Sequence, residues 1–205
     1  MEKPFCTLPD GSCLIETFGW SPSKGAARLD LHLARLAKSA QTFGISLDQD
    51  VIAAKIDAIS AVDALRCRLT VGKDGSVDLV TAPMPTAADR WNVAISADRL
   101  DSRNPFLNHK TSQRALYDIS RKEMAVGIDE VIFLNERSEV CEGTITNVLV
   151  KSPDGHWLTP PISCGCLPGA YREYLLTTGQ AHEAILTVND LLESEDLRLC
   201  NSLRG

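Results

Sequence analysis

Strand-period and helix-period apolar segments follow one another along this chain without the regular strand–helix–strand alternation that a parallel sheet with crossover helices requires. That irregular order is the strongest constraint on the fold. Residues 14–20 are apolar, with Thr17 inside the run and Gly19 near its end, and predict a strand followed by the turn Ser21-Pro22-Ser23-Lys24-Gly25. Leu33, Leu36, Ala37, Ala40 and Phe43 recur at helical spacing behind Asp30, an N-cap candidate, and Gly44 supplies the stop. Asp48 caps a second helix striped by Val51, Ile52, Ile56, Ile59 and Val62. Residues 67–71 and 77–81 flank Gly72-Lys73-Asp74-Gly75 as a hairpin, and residues 91–96 predict one more strand.

Asp101-Ser102-Arg103-Asn104-Pro105 interrupts the pattern and is the candidate boundary between a small N-terminal domain, residues 1–100, and a larger C-terminal domain, residues 101–205. Beyond it, a helix opening at Lys110 is expected to run to about Val126 and stop at Gly127. Strands follow at 130–134, from Glu139 onward, at 147–151 and at 157–158. Leu167-Pro168-Gly169-Ala170-Tyr171-Arg172 leads into a helix to about Thr177. Residues 184–187 read as strand, Asp190 as the start of a short helix, and residues 197–200 as the last strand. The expected class is therefore α+β in two lobes.

At 205 residues the chain can bury a sizeable core, and 44% apolar with 23% charged residues excludes disordered and fibrous classes. A net charge of −6, with the basic residues scattered, argues against a nucleic-acid partner. No apolar run approaches the roughly 20 residues a bilayer demands, and Met1-Glu2-Lys3-Pro4-Phe5-Cys6 lacks a signal core, so a cytoplasmic protein with no membrane partner is expected. Seven irregularly spaced cysteines fit reduced thiols. Cys164-Gly165-Cys166 has no further ligands in register, and His32, His109, His156 and His182 show no ligand spacing, so no metal is expected.

There is no Gly-rich dinucleotide fingerprint, P-loop, metalloprotease helix motif or nucleophile elbow. What remains is a lysine in Asn108-His109-Lys110-Thr111, a carboxylate in Cys141-Glu142-Gly143-Thr144-Ile145-Thr146-Asn147, and short Gly-Ser-Thr segments whose backbone N–H groups could hold a phosphate. Pyridoxal phosphate asks for that inventory: a Schiff-base lysine, an acidic partner for the ring nitrogen and anion contacts. By spacing alone the pair is weak, because any globular chain offers a lysine and a glutamate. His32 and Arg35 lie three apart and share a helix face, which a solvated polar face explains as readily as a site.

Motifs in order add to this. From Asp101 to Gly205 the chain resembles the class IV aminotransferase family of pyridoxal-phosphate enzymes, and among them the aminodeoxychorismate lyases. The resemblance is carried by Asp101-Ser102-Arg103-Asn104-Pro105-Phe106-Leu107-Asn108-His109-Lys110-Thr111, Asp129-Glu130-Val131-Ile132-Phe133-Leu134-Asn135-Glu136-Arg137, Glu142-Gly143-Thr144-Ile145-Thr146-Asn147, Thr159-Pro160-Pro161, Leu167-Pro168-Gly169-Ala170-Tyr171-Arg172 and Asn201-Ser202-Leu203-Arg204-Gly205. Upstream, Ile15-Glu16-Thr17-Phe18 and His32-Leu33-Ala34-Arg35-Leu36 stand where the family has its first-domain signatures.

The resemblance implies a two-lobed fold-type IV enzyme, like the D-amino-acid aminotransferases, with pyridoxal 5'-phosphate in the interdomain cleft, and a homodimer acting on a small molecule. It implies Lys110 as Schiff-base lysine and proton shuttle, Glu142 as partner of the pyridinium nitrogen, and Arg35 at the phosphate. Ala170 and Tyr171 would give backbone N–H groups to the phosphate at a helix start, and Ser202 and Leu203 would complete the cup. Thr146 would sit by the phenolic side of the ring. Leu167 would pack on a ring face, with plain core as its alternative. Thr17 and Arg114 are substrate candidates, and a surface ion pair is the alternative for Arg114. Tyr171 stands where many aminotransferase relatives have Thr, which favours the backbone contact over a hydroxyl contact. The implied activity is 4-amino-4-deoxychorismate lyase, with transamination of branched-chain or D-amino acids as the runner-up. The chain starts late and stops early relative to the family pattern, which keeps open a cofactor-binding protein of this fold with little turnover.

Overall fold

In the computed structural model, which describes residues 7–86 and 88–204, strand and helix periods sort the chain into two units. Residues 1–6, 87 and 205 lie outside the described residues, and with them the stretch read against a signal core and the last residue of the Asn201 motif.

The first unit comprises Met1–Thr86 and His109–Gln113. Its strands are β1 (Cys13–Ser21), β2 (Gly25–Ala26), β3 (Leu65–Gly72) and β4 (Val77–Pro83), in the order β2-β1-β3-β4 with every pairing antiparallel. The two helices, α1 (Leu29–Phe43) and α2 (Gln49–Asp57), supply Leu36, Ala40, Phe43, Ile52 and Ile56 to the core beside Phe18, Cys67, Leu69 and Val71. Asp30 is not the N-cap of α1. Arg28 takes that place in the left-handed region (φ 52°), and Asp30 sits in the first turn, where a negative charge suits the helix dipole. Gly44 does end α1, at φ 68°. Asp48 caps α2 by accepting the Val51 N–H at 3.0 Å. The helix stops at Asp57, so Ile59 and Val62 of the predicted stripe lie beyond it and Val62 is 93% exposed.

Residues 109–113 join this unit as an extended segment along β1. Ile15 N–H donates to the Lys110 carbonyl at 2.8 Å, Ser112 N–H to the Cys13 carbonyl at 2.9 Å, and Leu14 bridges Thr111. Lys110 therefore does not open a helix. With its backbone and those of Thr111 and Ser112 committed to β1, helical geometry begins only at α3 (Ala115–Lys122), behind Arg114.

The second unit comprises Ala87–Asn108 and Arg114–Gly205. It holds β5 (Val93–Leu100), β6 (Glu130–Asn135), β7 (Val140–Gly143), β8 (Asn147–Lys151), β9 (Trp157–Thr159), β10 (Ala181–Glu183) and β11 (Leu197–Cys200), with helices α3, α4 (Ala170–Thr177) and α5 (Val188–Glu193). The sheet runs β10-β9-β8-β7-β6-β5, and β11 adds to β8. β5, which the sequence groups with the first half, pairs parallel with β6, so the change of unit falls before this strand and not after it. Nor is the 101–105 segment a free connection, because Ser102 donates its N–H and hydroxyl to Glu136 at 2.9 and 2.7 Å. Ile132, Leu134, Val140, Val148, Val150, Leu186 and Leu191 form a core cluster of this unit. The expected strand at 184–187 falls instead at Ala181–Glu183, and Thr187 caps α5 in a reciprocal box with Asp190. No helix among the described residues is long and apolar enough to cross a membrane.

Candidate active site

The turn from β7 to β8 organises the predicted residues of the second unit. Gly143 N–H donates to the Thr146 carbonyl at 2.8 Å, which closes the turn, and Glu142 precedes it on β7. Beneath it lies the carboxylate of Glu130, fully buried at the start of β6. Its Oε1 accepts the Thr144 N–H at 3.0 Å and the Thr144 hydroxyl, and its Oε2 accepts the Ile145 N–H and the Thr146 hydroxyl, both at 3.2 Å. Arg121 stands 3.6 Å from the same carboxylate and donates to the Thr144 hydroxyl at 2.8 Å. A buried charge with this many donors is compensated in place, and it fixes the turn more firmly than backbone bonds alone. Thr146 thus directs its hydroxyl to Glu130. Arg114 forms an ion pair with Asp118 at 2.7 Å, the alternative read for it, and donates to the Thr144 carbonyl at 3.0 Å.

Glu142 is buried and gripped from two sides. Tyr117 on α3 donates its hydroxyl to Oε1 at 2.7 Å, and the Leu167 N–H donates to Oε2 at 2.9 Å. Burial and the Glu142 charge push the Tyr117 phenol far above its ordinary range, so it remains a donor at every working pH. Leu167 itself is only half-buried. Its carbonyl accepts Asn147 Nδ2–H at 2.9 Å, so one asparagine side chain fixes the backbone that leads into α4.

Gly169 is the N-cap of α4, and its glycine identity is steric: at φ −65° no strain is involved, but a Cβ would meet Asn147 Oδ1 at 2.0 Å. Arg172, fully buried, holds the first turn of α4 through Nη2 to the Pro160 carbonyl at 2.7 Å and to Glu183 at 2.5 Å. The N–H groups of Ala170 and Tyr171 occupy the first turn, where no intrahelical acceptor exists and the dipole favours an anion. Gly169→Ala is expected to destabilise the protein by about 1–3 kcal/mol, the usual range for overpacking a filled site. Thermal unfolding with an unchanged midpoint would mean that Asn147 can yield.

Asn201 ties the C-terminal motif to the same turn. Its Nδ2–H donates to the Ile145 carbonyl at 3.1 Å, while its Oδ1 accepts the Leu203 and Arg204 N–H groups at 2.9 and 3.0 Å. The Leu203 N–H expected for a phosphate is therefore already committed within its own turn, and Ser202 sits beside it.

In the first unit, Lys110 is half-buried and its backbone runs beside Ile15, two residues before Thr17 on β1. The face shared by His32 and Arg35 meets Glu16, a buried carboxylate on β1 between the apolar residues Leu14 and Phe18. Arg35 Nε donates to Oε1 at 2.9 Å and Nη2 to Oε2 at 2.6 Å, and His32 Nδ1 lies 2.5 Å from Oε2. Burial alone would raise the Glu16 carboxyl, but the charge of Arg35 and the bonds from both partners hold it below the usual carboxylate range. The polar face is thus an ion-paired one and not a solvated one.

The sequence pointed to neither Tyr117 nor Glu130 nor Asn147 as support for the site. For Glu130 there was a signal, an acidic residue opening a fully apolar strand. Tyr117 had none once the helix was expected to begin at Lys110. Cys141, Cys164 and Cys166 are free thiols raised by burial, Cys166 to about 12, and so inert as nucleophiles. Within the second unit, the buried Glu142 carboxylate and the first-turn N–H groups of α4 are the kinds of group that pyridoxal phosphate asks for as a ring-nitrogen partner and an anion contact.

A Mesorhizobium loti structure assigned as an amino-acid aminotransferase is 43% identical, with a TM-score of 0.87 over 95% of this chain and 96% of its own. A Schizosaccharomyces pombe protein assigned as an aminodeoxychorismate lyase is 29% identical over 187 residues, 86% of this chain and 80% of that protein. The aminodeoxychorismate lyase of Saccharomyces cerevisiae is 31% identical over 133 residues, 56% of this chain, which spans only 35% of that relative. The model of the amino-transferase class IV family matches residues 13–205, and the chain belongs to that family, whose enzymes use pyridoxal phosphate.

Proposed function

We propose that this protein is a 4-amino-4-deoxychorismate lyase, releasing 4-aminobenzoate and pyruvate with the help of pyridoxal phosphate. What carries the reading is that the two curated relatives above, from two yeasts, bear this name. Lys110 would hold the cofactor, Glu142 its ring nitrogen, and the Ala170 and Tyr171 N–H groups with Arg35 and Ser202 its phosphate. Leu167 and Thr146 would border the ring, and Leu203 would shape the turn behind the phosphate. Thr17 and Arg114 remain the substrate-facing candidates.

When bound, pyridoxal phosphate supplies an electron sink for the substrate carbon that bears the amine. The chain's own part is proton handling and orientation. The Lys110 amine, in its neutral form, takes the proton from that carbon and gives it to the departing enolpyruvyl group. The ring–oxygen bond breaks, the ring gains its last double bond, and aromatisation drives the step. Glu142, held by Tyr117 and Leu167, keeps a negative charge where the ring nitrogen needs one.

A second reading, class IV transamination of an amino acid, is favoured by the 43% identity to the Mesorhizobium loti protein. It uses the same lysine and glutamate but requires a 2-oxo acid as amino acceptor. Purified protein loaded with pyridoxal phosphate is expected to convert aminodeoxychorismate to 4-aminobenzoate with no 2-oxo acid added. Amino exchange between a branched-chain or D-amino acid and 2-oxoglutarate, with no 4-aminobenzoate formed, would replace the first reading by the second. Cofactor uptake with neither reaction would leave a binding protein. The homodimer belongs to the same proposal, and sedimentation at twice the chain mass is its check.

A further inference from the structure

We infer that Tyr117 is a positioning residue for the charge of Glu142: its hydroxyl keeps that carboxylate anionic and limits how strongly it competes for a proton on the group it holds. The inference rests on the cofactor reading above. Its geometry lies wholly within the second unit. Tyr117 projects from α3 and donates to Oε1 at 2.7 Å, while Oε2 is taken by the Leu167 N–H at 2.9 Å. The phenol ring is held in turn by the edge-to-face contact with Phe133 (centroids 5.2 Å, 79°) and by the Arg114 guanidinium 5.7 Å above it. The hydroxyl is thus aimed by packing on both sides and is not free to swing.

The consequence concerns one proton. A ring nitrogen beside Glu142 shares a proton with the carboxylate, and each hydrogen bond donated to the carboxylate favours leaving that proton on the ring. Without the Tyr117 donor, Glu142 draws the proton toward itself. The ring becomes less positive, and the other basic groups conjugated with it hold their protons to higher pH. The titratable and charged groups of the second unit that face the pair from neighbouring elements include Arg114 at the start of α3, Cys141 on β7 and Cys166 in the loop before α4. Burial places both thiols above the neutral range, so neither changes charge between pH 6 and 9.

The test is Tyr117→Phe, which keeps the ring packing on Phe133, studied as the pyridoxal-phosphate-loaded protein by absorbance against pH. The pH midpoint of the cofactor's visible band is expected to rise by about 0.5–1 unit, the scale of one hydrogen bond to a charged group. Cofactor affinity should fall several-fold, with kcat reduced and KM little changed. In a Glu142→Gln background the tyrosine substitution should no longer move the midpoint, an outcome that loss of packing alone would not produce. Uniform 3-fluorotyrosine labelling makes a stronger donor without changing the ring's shape, and it should move the midpoint the other way even if the Phe variant fails to fold. Unchanged midpoints in both the Phe and fluorinated proteins overturn the inference and leave the cofactor reading standing. A wild-type protein that develops no visible band with pyridoxal phosphate overturns both.

Discussion

Lys110→Ala is expected to lower turnover by about 10³-fold or more while the protein still folds, because in the proposed reaction one amine would serve as both cofactor attachment and proton carrier. The fold should survive since the segment is held to β1 by main-chain bonds, Ile15 N–H to the Lys110 carbonyl and Ser112 N–H to the Cys13 carbonyl, which alanine retains. The visible band of the loaded protein should vanish with the lysine. Part of the turnover should return on adding a small primary amine that can stand in for the missing side chain. A Lys110→Ala protein with wild-type turnover would remove Lys110 from the chemistry altogether.

The second large effect is expected at Glu16 and is one of stability. Glu16→Ala takes the carboxylate away from Arg35 and His32, both nearly fully buried, and breaking a buried ion pair from one side typically costs about 3–5 kcal/mol. In this domain that is a large share of the total. The pH dependence has a definite sign. The folded-state Glu16 carboxyl titrates below the ordinary glutamate value, so its contribution is complete above that ordinary value and is lost as the pH falls through the folded-state one. The wild-type protein should therefore lose stability below about pH 5 more steeply than Glu16→Gln does. Parallel acid-denaturation curves for the two proteins would show that Glu16 is not the group responsible.

These expectations differ in how visible they were in the sequence. β1, the β3–β4 hairpin, α2 behind Asp48, and β11 follow from short-range rules of alternation, turn chemistry and capping, and the structure has them in place. The helix at Lys110 failed because a local reading cannot register that residues 109–113 are claimed by β1, nearly a hundred residues earlier in the chain. β5 was grouped with its sequence neighbours for the same reason, since nothing in residues 93–100 announces the parallel partner at 130–135. For the site, the family motifs located Glu142, Leu167 and the start of α4, which the structure ties to one turn. What ties them, Glu130, Asn147 and Tyr117, consists of side chains whose roles come from long-range hydrogen bonds and have no periodic signature. The His32–Arg35 face was read from spacing as open between solvent and site. Only the position of Glu16 opposite it settled that the face is ion-paired.

The claim that β1 makes on residues 109–113 also governs the order in which the protein can mature during synthesis. The first unit is not finished when residue 86 leaves the ribosome; its last segment emerges only after β5 and the Asp101-Ser102-Arg103-Asn104-Pro105 segment, which belong to the second unit. A nascent chain halted at residue 86 presents β1 without its partner at Thr111, whereas one extended to residue 113 contains everything that unit needs. Lys110 thus enters the fold as the closing piece of the first unit, before any of Glu142, Leu167 or α4 has been made.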